Sequence, residues 1–176
     1  GVYRGACAEY CGTQHAKMAL HVVVEPPEAF ERWLARQALP AAEVHDAPLR
    51  AGRQAFTSHG CAACHALRGV AGGGGFGPDL THVGSRLYLG AGTLRNDAAA
   101  LARFVADVHA VKPGARMPSF AHLPRETVGA LAAYLAQLRC TAPRAPRRRR
   151  TPRRRCRTGC RAHPASSSAC ARPGRH

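Results

Sequence analysis

Hydrophobic and polar residues alternate along MALHVVVE, residues 18–25, and the valines of this segment favour a β-strand. The period changes in PPEAFERWLARQ, where a proline suited to a first helical turn precedes apolar residues at helical spacing. Residues 38–48 are rich in Ala and Pro without a period, which predicts a linker. The pattern therefore predicts the end of a β domain at residues 1–26, then a helix and linker at 27–48.

The sequence pattern of residues 49–139 predicts a helical unit. A short helical stretch leads to CAACH, and a glycine-rich loop, GGGGFGPDL, follows it. The apolar residues are few for a unit of this size, so a large prosthetic group would help to complete its core. Two further helices, beginning at Asp97 and Pro124, carry apolar stripes formed by Leu101, Phe104, Val105 and Val108 and by Val128, Leu131, Leu135 and Leu138.

The positive charge is concentrated in residues 140–176. Of the 26 Lys and Arg residues, 12 are arginines in this segment, which contains no acidic residue. It also lacks Leu, Val and Phe, so we expect it to be disordered. The body of the chain favours Arg over Lys and contains no Ile, as GC-rich codons would produce, and we interpret the tail as out-of-frame sequence. We interpret the spacing of Cys156, Cys160 and His163 as chance.

No apolar run approaches the roughly 18 residues that span a bilayer, and no signal peptide precedes the first motif. Because the chain begins at Gly1 without an initiator methionine, we expect a fragment or a processed product.

The segment CAACH comprises Cys61, Cys64 and His65. Two cysteines at this spacing also occur in thioredoxin-like pairs and in zinc ribbons. The adjoining histidine favours haem, because two thioether bonds and an axial imidazole from the next residue need this spacing. The second axial ligand must approach the opposite haem face. Met117, in the irregular segment ARMPSF, is our candidate, although most methionines fill cores.

Residues 49–139 resemble a class I cytochrome c domain, in which CAACH, GPDLTHVGSR and KPGARMP occur in this order before a C-terminal helix. The resemblance implies an all-α fold and haem c bound by the CAACH residues and Met117. It also implies that the Pro78 carbonyl orients the axial histidine and that Arg86 meets a haem propionate. We expect the other histidines of this unit to be surface or structural residues: His59, His82, His109 and His122.

A second cluster of possible metal ligands lies in CAEYCGTQHAKM, which contains Cys7, Cys11, His15 and Met18. A structural zinc site would use two thiolates and two imidazoles and has little use for a thioether. A disulfide between the cysteines is conceivable, but it gives the histidine and methionine no role. Soft thiolates with an imidazole and a thioether favour copper.

This segment resembles the binuclear copper (CuA) loop of cytochrome c oxidase subunit II. The resemblance implies that Cys7 and Cys11 bridge two coppers, with His15 and Met18 as terminal ligands. It implies that Glu9 supplies its backbone carbonyl to copper and its carboxylate to Mg at the interface with subunit I. Nitrous oxide reductases share the spacing but typically carry Trp at the position of the glutamate, which favours the oxidase.

The copper site of that family needs a second histidine from an upstream loop. We expect this histidine, most of the β-sandwich and two membrane helices to lie before Gly1. His21 is a poor substitute, because it points to one fixed face of the predicted strand. The expected fold class is therefore mixed: the C-terminal edge of a cupredoxin-like β-sandwich, an all-α class I cytochrome c domain at 49–139 and a disordered tail.

A cytochrome c fused behind a copper domain resembles terminal oxidases that carry their own electron donor. The resemblance implies subunit II of a cytochrome-c oxidase, relaying electrons from a cytochrome or quinol-oxidising complex through haem c and copper to subunit I, where oxygen is reduced and protons are pumped. It implies a bacterial cell membrane, with these domains on the periplasmic face. The first alternative is a free-standing c-type haem carrier or sensor with a vestigial copper loop. The second, a nucleic-acid-binding protein, depends on the tail alone, which lacks an aromatic platform, and we predict no nucleic-acid partner.

Overall fold

An antiparallel hairpin opens the chain. In this computed structural model, which describes residues 1–140, β1 (Val2–Ala6) pairs with β2 (Ala19–Val23), so that Ala6 lies opposite Ala19. β2 confirms the strand that the alternating pattern predicts, whereas VYRGA in β1 has no clear alternation and is not predicted. The expectations for the arginine-rich tail, including Cys156, Cys160 and His163, fall beyond the described residues.

The hairpin is not covered by a second sheet within residues 1–140. Leu20, Val22 and Val24 each expose about half of their surface. The described part of the chain therefore contains a two-stranded hairpin where the sequence predicts the edge of a cupredoxin-like sandwich.

Helix α1 (Pro27–Gln37) follows the hairpin and begins at a proline, as predicted. It has no buried residue, and its Phe30 and Trp33 rings stack with centroids 5.7 Å apart. The segment after α1 is held by hydrogen bonds rather than by secondary structure: the Ala41 N–H donates to Arg68 O at 2.9 Å.

The longest helices, α2 (Ala47–Ser58) and α5 (Arg125–Gln137), pack directly against each other. Their backbones meet at Gly52, where an added Cβ would lie 2.1 Å from Ala130 O. Close contact between these helices is therefore possible only with a glycine at this position. The predicted stripe of α5 is buried, with Val128, Leu131, Leu135 and Leu138 each at most 8% exposed.

Two features between these helices differ from the predicted all-α domain. A small ladder joins β3 (Tyr88–Leu89) to β4 (Leu94–Arg95), and two-residue strands are too short to produce an alternating pattern. The helix predicted from Asp97 is split into α3 (Ala98–Ala106) and α4 (Val108–Val111), because Asp107 has a non-helical backbone (φ −146°, ψ 87°) and caps α4 through its carboxylate.

The core of the helical unit lies between α2, α3 and α5. Its buried members include Phe56, Leu67, Leu101 and Tyr134, and burial raises the pKa of the Tyr134 hydroxyl. In the part of the chain that the structure describes, no helix has both the length and the apolar character needed to cross a bilayer.

Candidate metal centres

The CAACH segment begins where α2 ends. Gly60 adopts a left-handed backbone (φ 76°) that stops the helix, and one 3₁₀ turn follows over Cys61–Ala63. The His65 N–H donates to Cys61 O at 3.0 Å, which closes the motif into a compact turn. Both motif cysteines are partly buried thiols, and burial raises the pKa of Cys61.

The imidazole of His65 is oriented by the glycine-rich loop. Its Nδ1 lies 2.8 Å from Pro78 O, and a carbonyl can only accept, so Nδ1 carries the proton and Nε2 is left free to bind a metal. An added Cβ on Gly77 would lie 2.6 Å from two atoms of this ring. An added Cβ on Gly74 would lie closer still to its neighbour, 2.1 Å from Ala63 O. Gly74 and Gly77 therefore let the backbone of the loop lie against the motif.

Beside His65 lies a cleft of about 1640 Å³ lined mainly by apolar side chains. Cys61 and Cys64 contribute to its wall, and so does Met117 from the segment after α4. The volume exceeds the roughly 300–1,000 Å³ of ordinary ligand pockets, as a large prosthetic group would need. Further apolar lining comes from Phe56, Leu89, Leu101, Val105, Leu131 and Leu135.

The segment that carries Met117 is fixed on both sides. Before it, the Ala115 N–H donates to Lys112 O at 3.2 Å. After it, the Ser119 hydroxyl donates to Ala106 O at 2.8 Å, and the Phe120 N–H donates to the same oxygen. Met117 is therefore presented to the cleft by a short loop anchored to the end of α3.

These residues fit a covalently attached haem. Two thiols can form thioether bonds, one imidazole nitrogen is free and a thioether lines the same cleft, which is the ligand chemistry of a c-type haem. The fit rests on the donor set and on the glycine contacts around the imidazole.

Arg86 also lines the cleft, and its guanidinium donates to the Asp79 carbonyl oxygen. The Asp79 carboxylate accepts from the Thr81 N–H at 2.7 Å and pairs with Arg68 at 3.2 Å. Desolvation alone would raise the pKa of Asp79, but the Thr81 hydrogen bonds and the Arg68 charge outweigh it and lower the pKa below its usual value. Arg68 also donates to the carbonyls of Gln37 and Leu39 and so joins the linker to this loop.

The residues of the first motif converge in the loop between β1 and β2. The sulfurs of Cys7 and Cys11 lie 3.6 Å apart, and Met18 Sδ lies 3.3 Å from the Cys11 sulfur. His15 Nδ1 lies 3.8 Å from the Cys11 sulfur, and Glu9 O accepts from the Cys7 thiol at 3.0 Å. The hydrogen bond with Cys7 raises the pKa of the Cys11 thiol.

This loop fits one or two soft metal ions. Two sulfurs at bridging distance, a thioether and an imidazole form a donor set suited to copper. His21 is not part of the cluster: its ring stacks on Tyr88 with centroids 4.1 Å apart.

The family model described as Cytochrome c matches residues 49–139. The chain belongs to the cytochrome c family. Membership implies haem c, and the cytochrome c domain contains the CAACH motif, the glycine-rich loop and Met117.

Two curated relatives match a larger part of this cytochrome c chain. The cytochrome c oxidase subunit 2 of Alkalihalophilus pseudofirmus (strain ATCC BAA-2126 / JCM 17055 / OF4) is 32% identical over 139 residues, covering 79% of the chain and 40% of the relative. That of Bacillus sp. (strain PS3) is 31% identical over 149 residues, with the same shares. The chain therefore spans about two fifths of the length of these relatives.

Several residues that shape the sites of this cytochrome c are not predicted from its sequence. Gly77 was visible only as part of a glycine-rich loop, because its closeness to His65 depends on the fold. Tyr88 and Arg68 belong to no recognisable motif. For Asp79, which pairs with Arg68, the sequence offers one indication: it follows Pro78 directly in GPDL, a segment that matches the cytochrome c pattern.

Proposed function

We propose that this chain is the electron-transfer part of subunit II of a haem-copper terminal oxidase, a cytochrome-c oxidase. The observation that carries the proposal is that one chain presents two separate ligand sets, CAACH with Met117 and the loop of residues 7–18. The names of the two curated relatives support the same assignment. In this proposal an external donor, a cytochrome or a quinol-oxidising complex, supplies electrons that pass on to subunit I for oxygen reduction coupled to proton pumping.

Bound haem c supplies reversible one-electron exchange at iron, and a copper pair supplies the same at the first motif. The chain's own residues would hold these groups and determine their surroundings. Cys61 and Cys64 would hold the haem covalently, and His65, fixed by Pro78, and Met117 would supply the ligands to its iron. Arg86 would neutralise a propionate. Burial in the apolar cleft excludes water and limits reorganisation when the charge changes.

In the first motif, Cys7 and Cys11 would hold the copper pair together with His15, Met18 and the backbone carbonyl of Glu9. The Glu9 carboxylate would bind Mg at the contact with subunit I. In this proposal the site belongs to a complex of the bacterial cell membrane and lies on the periplasmic face. A soluble haem carrier with a vestigial copper loop is the competing function.

The test is a pair of cysteine variants in the cells that make the protein. In membranes carrying Cys11→Ser, we expect oxidase-dependent oxygen uptake to fall to background while the haem c content stays normal. Cys140→Ser is the matched control, because it makes the same atomic change outside the loop, at a thiol whose one hydrogen bond within residues 1–140 is a long one of 4.0 Å to the Trp33 carbonyl. Unchanged oxygen uptake with Cys11→Ser would reject the oxidase in favour of the carrier, and a chain without haem would reject both.

A further inference from the structure

The β1–β2 hairpin, which carries the proposed copper loop (residues 7–18), lies against the turn between β3 and β4 in the cytochrome c domain. The Ala19 N–H donates to Ala91 O at 2.8 Å. Gly1 and Val24 exchange both backbone hydrogen bonds at the open end of the hairpin. The pairs alternate from there along the register, so Ala6 and Ala19 form a non-hydrogen-bonded pair. The Ala19 N–H therefore points out of the hairpin, and its hydrogen bond reports only on the contact with the turn.

The turn has a backbone suited to this contact. Gly90, Ala91 and Gly92 are all left-handed, with φ of 57°, 58° and 86°. Ala91 is the one non-glycine residue with a positive φ in residues 1–140, a conformation that costs on the order of 1 kcal/mol or more. An added Cβ on Gly92 would lie 2.9 Å from Ala19 Cβ. The hairpin approaches so closely that only glycine fits at position 92.

A ring stack supports the backbone contact. His21 and Tyr88 are parallel within 6°, with centroids 4.1 Å apart. His21 lies two residues after Ala19 and so points to the same face of β2. Both are partly buried, whereas Leu20 between them is 54% exposed.

Each side of the contact adjoins one of the two candidate ligand sets. Met18 of the copper loop precedes Ala19, and Tyr88, Leu89 and Gly90 line the cleft beside His65. We propose that Ala19 and His21, seated on Ala91, Gly92 and Tyr88, form an intrachain docking interface that fixes the copper loop against the haem cleft. The inference deepens the proposed function. The step it serves moves one electron from ferrous haem, which becomes ferric, to the oxidised copper pair, and no bond or proton changes place.

The first test measures hydrogen exchange of the Ala19 amide by NMR in the full chain with haem attached and without copper. We expect clear protection relative to an unstructured peptide, reduced about 2- to 13-fold by His21→Ala, as the loss of an aromatic stack predicts. Gly92→Ala should also reduce it. His45→Ala, at an exposed loop histidine, and Gly75→Ala, at a left-handed glycine (φ 74°) with open space around it, should leave it unchanged. Exchange of the wild-type amide at the peptide rate, or no effect of His21→Ala, would overturn the interface.

The second test measures the rate at which haem c is reoxidised by copper after pulsed reduction, in membranes carrying His21→Ala. We expect a slower rate at unchanged haem and copper content, and an unchanged rate would overturn the role of the interface in electron transfer. The exchange test uses copper-free protein, so its result does not depend on copper binding. The interface can therefore be confirmed even if the chain binds no copper and the proposed function is rejected.

Discussion

The Nδ1 nitrogen of His65 donates a 2.8 Å hydrogen bond to the Pro78 carbonyl, although the two residues come from different loops. The bond fixes both the tautomer and the direction of the imidazole. It is possible because the residue before Pro78 has no side chain, and this makes Gly77 the first position to test.

We expect Gly77→Ala to destabilise the haem-bound chain by about 1–3 kcal/mol, because the new methyl group would overlap the His65 ring. Urea unfolding followed by haem absorbance measures the change. Gly72→Ala is the control: it lies in the same region with no atom within 4 Å of the added Cβ, and we expect a change of at most about 0.5 kcal/mol. Equal effects of the two substitutions would contradict the proposed contact.

The chain's two methionines allow a reciprocal test of ligand assignment. Met117→Leu would remove the proposed thioether ligand, and a methionine ligand raises the potential of a haem, so we expect the reduction potential to fall by on the order of 0.1 V. Met18→Leu should instead weaken copper binding and leave the haem potential unchanged. Redox titration monitored optically, together with copper titration, measures both. A haem potential that responds to Met18 and not to Met117 would reverse the assignment.

The crossing of α2 and α5 predicts opposite effects for two glycines. Gly52→Ala inserts a methyl group against the Ala130 carbonyl and should cost about 2–3 kcal/mol of unfolding free energy. Gly129→Ala lies in the middle of α5 with open space around it and should stabilise by about 0.5–1 kcal/mol. Urea unfolding midpoints of the haem-bound chain measure both, and a stabilising Gly52→Ala would show that the helices are not in contact there.

Asp79 predicts a pH-dependent contribution to stability. Its pKa in the folded chain lies below the ordinary value of 3.8, so the ionised carboxylate stabilises the fold at higher pH. This contribution is fully present above about pH 5 and is lost as the pH falls through the folded pKa. Because the pair with Arg68 is exposed, Asp79→Asn should cost at most about 1 kcal/mol near neutral pH.

Unfolding of wild type and Asp79→Asn across this pH range measures the difference, which should shrink below pH 3.8. Asp46→Asn is the control, because that carboxylate makes no capping hydrogen bond at the start of α2. A difference that stays constant down to low pH would show that the charge of Asp79 is not its source.

The helices could be predicted because their apolar stripes follow a local period, as in α5, where Leu131 and Leu135 are buried. The break at Asp107 could not, because the apolar stripe continues to Val108 while the aspartate caps a new helix. The candidate ligands, too, are indicated by their spacing in the sequence, and the structure brings Cys7, Cys11, His15 and Met18 together in one loop. The contacts of Gly52, Gly77 and Tyr88 depend on residues distant in the sequence, so no local pattern indicates them.

The anchoring of the Met117 loop has a consequence for ligand affinity. A thioether on a flexible tether presents an effective concentration of about millimolar to its partner. Here the hydrogen bonds from Ser119 and Phe120 to Ala106 O restrict the loop of Met117, the proposed ligand, before any haem is bound. The effective concentration of the Met117 sulfur at the cleft therefore depends on the hydrogen bonds at the end of α3. Substitutions that weaken these bonds would lower the affinity of Met117 for its proposed metal without altering the methionine itself.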